Sequence, residues 1–138
     1  MKFVKHDGFD VFGIDFSKSA IESLKGSFGD KVIVGDISNM SFENEYFEFC
    51  FDKSAIQHNI KEDIPKIHEE IFRILKPNGK FFSTMLVEGN NGFITGYLNE
   101  EELKDSLKKF KEIKIDYITR TENNGRDKLT AYIIEATK

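Results

Sequence analysis

Tryptophan is absent from this chain, and cysteine and long apolar runs are scarce. Cys50 is the only cysteine, which excludes an intramolecular disulfide and is typical of proteins in a reducing compartment. No apolar run approaches the roughly 20 residues that a membrane-spanning helix needs, and no signal peptide is visible. We therefore expect a cytoplasmic protein without a membrane partner.

A surplus of positive charge is also missing. The 138 residues include 20 basic and 24 acidic side chains, for a net charge of −4. Proteins that bind nucleic acid normally carry a basic surplus or a basic stripe. The densest basic run here is residues 108–111, and we interpret its lysines as solvent-exposed side chains at a helix end. We expect no nucleic-acid partner. The absence of a Cys/His cluster predicts no metal site.

Apolar runs alternate with amphipathic stretches, which is typical of a single α/β domain built on a parallel sheet. Strands are predicted over residues 10–16, 31–34, 47–51, 80–87, 112–120 and 128–137. Helices are predicted over about 17–28, 63–76 and 99–110, and residues 88–98 form a predicted loop. The nearly continuous apolar run at 47–51 predicts a strand covered on both faces. The last two strands read as an antiparallel hairpin.

Polar residues follow several of these strands at their carboxyl ends, where open α/β sheets bind ligands. Asp15 ends the first strand just before a helix, where its carboxylate could accept hydrogen bonds from two ribose hydroxyls. It could equally extend the helix cap, and spacing alone leaves the two interpretations even. Asp36 follows Gly35 after the second strand, where it could accept a hydrogen bond from an exocyclic amine. A simple turn aspartate is the alternative.

Four segments, taken together, resemble class I S-adenosylmethionine (SAM) dependent methyltransferases of the small-molecule type. In order and spacing they are GFDVFGIDFSKSAIESL, VGDISNMSF, EYFEFCFDKSAIQH and EEIFRILKPNGKFF. The resemblance implies a Rossmann-like methyltransferase sheet with a C-terminal antiparallel hairpin, and SAM as cofactor.

The resemblance also implies roles for individual residues. Asp15 would hold the ribose and Asp36 the adenine, with Phe16 and Ile37 flanking the adenine ring. The segment from Asp52 to His58, including Ser54, would lie beside the methionine moiety. His58 is the histidine placed to act as a base, although a plain loop histidine is the stronger interpretation.

One part of the family pattern is absent. The family opens with a first strand and a glycine-rich turn, but none of the ten glycines here forms a G-x-G pair. Residues 1–6 resemble the tail of the helix that follows this turn, so we expect an N-terminally truncated domain with its first strand missing. Such a sheet would expose strand edges, which favours a homodimer.

Three functions remain open from the sequence. The first is SAM-dependent methyl transfer to an unidentified small-molecule acceptor. The second is a catalytically degenerate binding or assembly module, which the missing glycine-rich turn favours. The third is a nicotinamide-dependent oxidoreductase, which the closing hairpin and the lack of G-x-G disfavour.

Overall fold

A computed structural model describes residues 5–87, 96–122 and 127–138, and it divides the chain into two compact units, Met1–Met40 and Ser41–Lys138. The predicted loop at 88–98 lies outside the described residues up to position 95, as does the turn at 123–126. The prediction of a single domain over 1–138 stays a prediction.

The first unit is a small β-α-β arrangement. Strand β1 (Gly13–Asp15) leads into helix α1 (Lys18–Phe28), and a short 3₁₀ turn connects the helix to β2 (Val32–Val34). The two strands pair in parallel, with Asp15 opposite Val34. The helix packs because Ile21 and Phe28 lie on one face and join Val32 in a buried cluster. These elements confirm the predicted order, with a first strand shorter than expected.

Ser17 is the N-cap of α1, which agrees with the helix predicted over about 17–28. Its backbone is extended and its Oγ accepts a hydrogen bond from Ala20 N at 3.3 Å, which satisfies one of the amides that a helix start leaves open. Gly29 ends the helix with a φ of 59°, a conformation that favours glycine.

The second unit contains a four-stranded sheet in the order β3-β4-β6-β5. Its strands are β3 (Phe47–Lys53), β4 (Leu75–Leu86), β5 (Glu112–Glu122) and β6 (Asp127–Thr137). The first two pair in parallel, whereas β6 is antiparallel to both of its neighbours. The predicted α/β class and closing hairpin are confirmed.

Two helices cover one face of this sheet. Helix α2 (Ile64–Ile74) carries Pro65 in its first turn, where the missing N–H costs little, and α3 (Glu100–Ser106) begins with a capping box between Asn99 and Glu102. The core they close consists mainly of aliphatic side chains with a few aromatic rings: Ile56, Ile64, Ile67, Ile71, Ile74, Leu75, Phe81, Met85, Leu98, Leu103, Leu107, Phe110, Tyr132, Ile134 and Ala136.

The expectation that the third strand is covered on both faces is wrong. Phe49 and Phe51 are 56% and 72% exposed, whereas Asp52, whose side chain points to the other face, is buried. A continuous apolar run therefore does not by itself show that both faces of a strand are buried.

Two element bounds also differ from prediction. Helix α2 ends at Ile74, and residues 75–79 already belong to β4, where an irregular register separates the Phe47–Leu75 pair from the Phe49–Lys80 pair. Asn78, with φ 64°, adopts a left-handed conformation in this stretch. Helix α3 ends at Ser106 rather than near Phe110.

Candidate functional site

Two aspartates lie at the carboxyl ends of the parallel strands in the first unit. Asp15 is the last residue of β1, and Asp36 follows β2 after Gly35. The amide of Gly35 donates to the carbonyl of Asp15 at 3.0 Å, which holds the two strand ends side by side. Neighbouring strands lie about 4.8 Å apart, so both carboxylates belong to the same end of the same two-stranded sheet.

Each carboxylate also organises its own turn. Oδ1 of Asp15 accepts from Ser17 N at 2.8 Å, and Oδ1 of Asp36 accepts from Ser38 N at 2.7 Å. Both side chains are exposed. No described residue donates to the second oxygen of Asp15, so this carboxylate keeps an acceptor for a ligand while supporting the start of α1.

The apolar residues near these strand ends are unusually accessible. Phe16, directly after Asp15, is 84% exposed, and Val34, directly opposite Asp15, is 48% exposed. Ile37 is half-buried. Gly35 packs tightly against Ile14, because a Cβ at this position would lie 2.8 Å from Ile14 Cδ1. Carboxylates beside exposed apolar side chains form a combination that suits a nucleoside, which has polar sugar edges and a flat ring.

Asp52 behaves differently, in the second unit. It is 8% exposed, and Oδ2 accepts from the Ser83 hydroxyl at 2.6 Å. Oδ1 accepts from Ala55 N at 2.9 Å and Ile56 N at 3.4 Å. Burial raises the pKa of this carboxyl, and the hydrogen bonds from Ser83, Ala55 and Ile56 oppose that rise. Both oxygens are therefore engaged inside the protein.

The segment that follows Asp52 is held at several points. Ser54 has a φ of 65°, and its amide donates to the Thr84 carbonyl at 3.0 Å. A 3₁₀ turn covers Ile56–His58, and His58 is exposed at its end. The Cys50 thiol has a pKa raised to about 12 by burial, so it is a poor nucleophile at neutral pH.

Two contributors to this region were not anticipated from the sequence. Gln57 is 3% exposed, and its Oε1 accepts from Leu86 N at 2.7 Å, which ties the turn to the end of β4. Ser83 supplies the hydroxyl that Asp52 holds. The sequence carries only a weak indication of this role for Ser83, which is a polar residue at an inward-facing position of an otherwise apolar strand.

The described residues contain no group of three or more His, Cys, Asp or Glu side chains that could hold a metal ion. Within the same residues, no helix is long and apolar enough to cross a membrane.

Among curated proteins, the chain is similar to phosphoethanolamine N-methyltransferase 2 of Caenorhabditis elegans, with 33% identity over 88 residues. The match covers 59% of this chain but 20% of that protein, so the chain spans about a fifth of the relative's length.

Solved structures share the fold at low identity. A SAM-dependent methyltransferase from Archaeoglobus fulgidus superposes with a TM-score of 0.82 at 15% identity, covering 99% of this chain and 80% of that one. Phosphoethanolamine N-methyltransferase 2 of Haemonchus contortus, solved with S-adenosyl-L-methionine, gives 0.74 at 21% identity, covering 95% and 44%. The Rossmann-like fold prediction is thereby confirmed, and so is SAM as the cofactor of the family.

The family described as "Methyltransferase domain" matches residues 1–83, which is more than half of the chain. This match includes both strand-end aspartates and the Asp52 to His58 segment. It decides against the nicotinamide-dependent alternative. The chain belongs to the class I SAM-dependent methyltransferases.

Proposed function

We propose that this chain transfers a methyl group from SAM to a small-molecule acceptor, with Asp15 and Asp36 anchoring the nucleoside. The observation that carries the proposal is the placement of two exposed carboxylates at the same end of adjacent parallel strands. Ligands of open α/β sheets bind at that end.

Asp15 is the proposed ribose anchor. Because Oδ1 is engaged by Ser17 N, the carboxylate is held in one orientation, and its second oxygen faces no described donor. A hydroxyl hydrogen bond to an ionised carboxylate is charge-assisted and stronger than a neutral one. The side chain therefore has both the fixed direction and the charge that ribose recognition requires.

Asp36 and the apolar residues around it are proposed to hold the adenine. The Asp36 carboxylate would accept from the exocyclic amine, and the Ile37 amide would donate to a ring nitrogen. Exposed Phe16 and half-buried Ile37 would flank the ring. Covering Phe16, which is 84% exposed, would add a favourable hydrophobic contribution to binding.

The segment from Asp52 to His58 is proposed to border the methionine end. The sulfonium of SAM supplies an already activated methyl group, so the protein's contribution is positioning and exclusion of water. Asp52 contributes by fixing the turn that carries Ser54 and His58, because its buried carboxylate joins that turn to Ser83 on β4. His58 is exposed and is the proposed base for an acceptor that must lose a proton.

The class of acceptor is proposed only as a small molecule. The name of the C. elegans relative gives phosphoethanolamine as its acceptor, but this chain matches a fifth of that protein. Phosphoethanolamine and its methylated derivatives are therefore the first acceptors to assay.

A non-catalytic binding module is the second candidate. The lack of any G-x-G pair favours it, because such a turn brings backbone amides to the cofactor in dinucleotide-type sites. A chain that binds SAM tightly but releases no S-adenosylhomocysteine with a range of acceptors would support this candidate.

Calorimetric titration of SAM into the purified chain tests the nucleoside role. Asp15→Asn keeps an acceptor for Ser17 N but loses the charge, and we expect it to weaken binding by about 1–3 kcal/mol, or roughly 5- to 150-fold. Asp10→Asn is the matched control, since Asp10 precedes β1 at its other end and pairs with Lys31. Equal affinities for the three proteins would remove Asp15 from the site.

A further inference from the structure

The β5–β6 hairpin reaches beyond the rest of its sheet. Pairing of β6 with β4 ends at Ala131, opposite Leu86, whereas pairing with β5 continues for four more positions of β6. Among the described strands, none pairs with β5 on its other side, because β5 ends the sheet order. Positions 119–122 of β5 therefore lie opposite β6 residues that β4 does not pair, and no described strand pairs with the outer edge of β5 along its length.

This outer edge carries large apolar side chains on both faces. Tyr117 and Ile118 are 53% and 51% exposed, and consecutive residues of a strand point to opposite faces. Tyr117 is held by a hydrogen bond from its hydroxyl to Glu100 and by a ring contact with Tyr132 at 5.3 Å. An extended edge of this kind is a template for pairing with another strand.

The charges along the edge alternate in sign. Lys114, Asp116 and Arg120 share one face with Ile118, since all are at even positions of the strand. Edge strands often carry several lysines, whose like charges repel a second copy. Alternating signs have the opposite effect, because an antiparallel copy can place each charge against its complement.

The register of such pairing follows from arithmetic. A two-fold axis at Ile118 places the Ile118 residues of the two copies opposite each other. By symmetry, Asp116 of each copy then lies opposite Arg120 of the other. An axis at Asp116 would pair Glu112 with Arg120 but would also place the two Asp116 carboxylates opposite each other at its centre. An axis at Tyr117 would oppose Lys114 to Arg120. An axis at Ile115 is also complementary, pairing Lys114 with Asp116, but it leaves the exposed residues 119–121 beyond the partner's strand.

We propose that the outer edge of β5 is a homodimer interface, in which two copies pair antiparallel about Ile118 and join their sheets. The occupant is a second copy of this chain, because the charge pattern of the edge is complementary to itself. The interface is independent of methyl transfer and lies on a different strand from the proposed nucleoside anchors.

Charge reversal tests both the interface and its register. Sedimentation equilibrium over a concentration series measures dimerisation of the full chain. Asp116→Arg and Arg120→Asp should each weaken dimerisation at least tenfold, because each variant alone opposes like charges. The double variant should dimerise like the wild type. A mixture of the two single variants should form a heterodimer, since its charges are again complementary.

Lys66→Asp, at an exposed position of helix α2, changes net charge as much as Arg120→Asp and is the matched control. Circular dichroism establishes that each variant is folded. A wild type that stays monomeric throughout the series would overturn the proposal. So would single variants that dimerise normally, or a mixture that fails to recover. If Asp116→Arg weakens dimerisation and Arg120→Asp does not, the axis lies at Ile115 and the proposed register is wrong.

Discussion

The aspartates near strand ends differ between the two units in exposure and in hydrogen bonding. In Met1–Met40, Asp15 and Asp36 are exposed and each gives one oxygen to a local amide. In Ser41–Lys138, Asp52 is buried and gives both oxygens to groups of its own unit. Aspartates near strand ends are therefore exposed to solvent in one unit and enclosed by hydrogen-bond donors in the other.

The two units also differ in the size of their cores. Three buried residues with two partly buried neighbours form the cluster of the first unit, Ile21, Phe28, Val32, Val11 and Leu24. The second unit closes two helices against four strands. A small core can relax around a deletion more easily than a large, fully enclosed one, so we expect the second unit to be the less tolerant of truncated side chains.

The largest effect should therefore come from Phe81. Phe81 is fully buried, and it contacts both the Phe110 ring and the His68 ring. Phe81→Ala should lower the free energy of unfolding by about 3–5 kcal/mol. Phe28→Ala, in the smaller cluster, should cost less. Urea denaturation of both variants measures the difference, and equal losses would remove the proposed contrast between the cores.

A buried histidine gives the second unit a pH dependence of its own. His68 is 1% exposed, its Nδ1 lies 2.9 Å from Ser106 Oγ, and no described group bonds its Nε2. Burial lowers the pKa of His68 to about 4. The unfolded chain therefore binds more protons than the folded one between pH 6.5 and 4, so stability falls as pH falls through this window. The total loss should be roughly 3 kcal/mol.

His68→Asn should flatten this part of the stability profile, whatever its effect on stability at pH 7. His6→Asn is the control, because it makes the same substitution at an exposed histidine of the first unit. Denaturation curves at several pH values between 4 and 7 provide the measurement. A variant that retains the full wild-type slope would show that His68 is not its origin.

The smallest effect separates the two kinds of aspartate. Asp52→Ala should lower the free energy of unfolding by about 1–3 kcal/mol, since it leaves the Ser83 hydroxyl and the Ile56 amide without their acceptor. Asp15→Ala should cost under about 1 kcal/mol, because the amide it leaves is exposed and can bond water.

The pH dependence of the wild type adds a second check on Asp52. Its carboxyl has a pKa raised by burial, so the folded state holds this proton more tightly than the unfolded state does. The associated stabilisation is present at acidic pH and is lost as pH rises through the raised pKa. Asp52→Asn should remove this contribution.

Urea denaturation of the two alanine variants measures the contrast between Asp52 and Asp15. A larger loss of stability in Asp15→Ala than in Asp52→Ala would contradict the structural role given to Asp52.

Sequence reasoning located most elements because their signals are local. The helices predicted over 17–28 and 99–110 begin beside Ser17 and Asn99, whose side chains cap them. The helix predicted over 63–76 buries Ile64, Ile67 and Ile71 on one face. These features depend on residues within one or two turns of each other, and the structure confirms them.

The burial of Asp52 could not be predicted in this way. It depends on Ser83, which is 31 positions away and becomes a neighbour only when β3 and β4 pair. The prediction that Phe51 is covered was wrong for a related reason. An apolar run shows that a strand is hydrophobic but not which other elements pack against it. The roles of Asp15 and Asp36 in binding remain predictions.

Gly96, the first described residue after position 95, is held closely against the turn that contains Gln57 and Asn59. Its amide bonds the Gln57 carbonyl at 3.0 Å, and a Cβ there would lie 2.5 Å from the Asn59 carbonyl oxygen. Val87, nine positions earlier, is the last described residue before that gap, and its amide donates to the Thr130 carbonyl at 2.9 Å. Both bonds join main-chain atoms. They therefore hold positions 87 and 96 in place whatever side chains stand at their partners, Thr130 and Gln57.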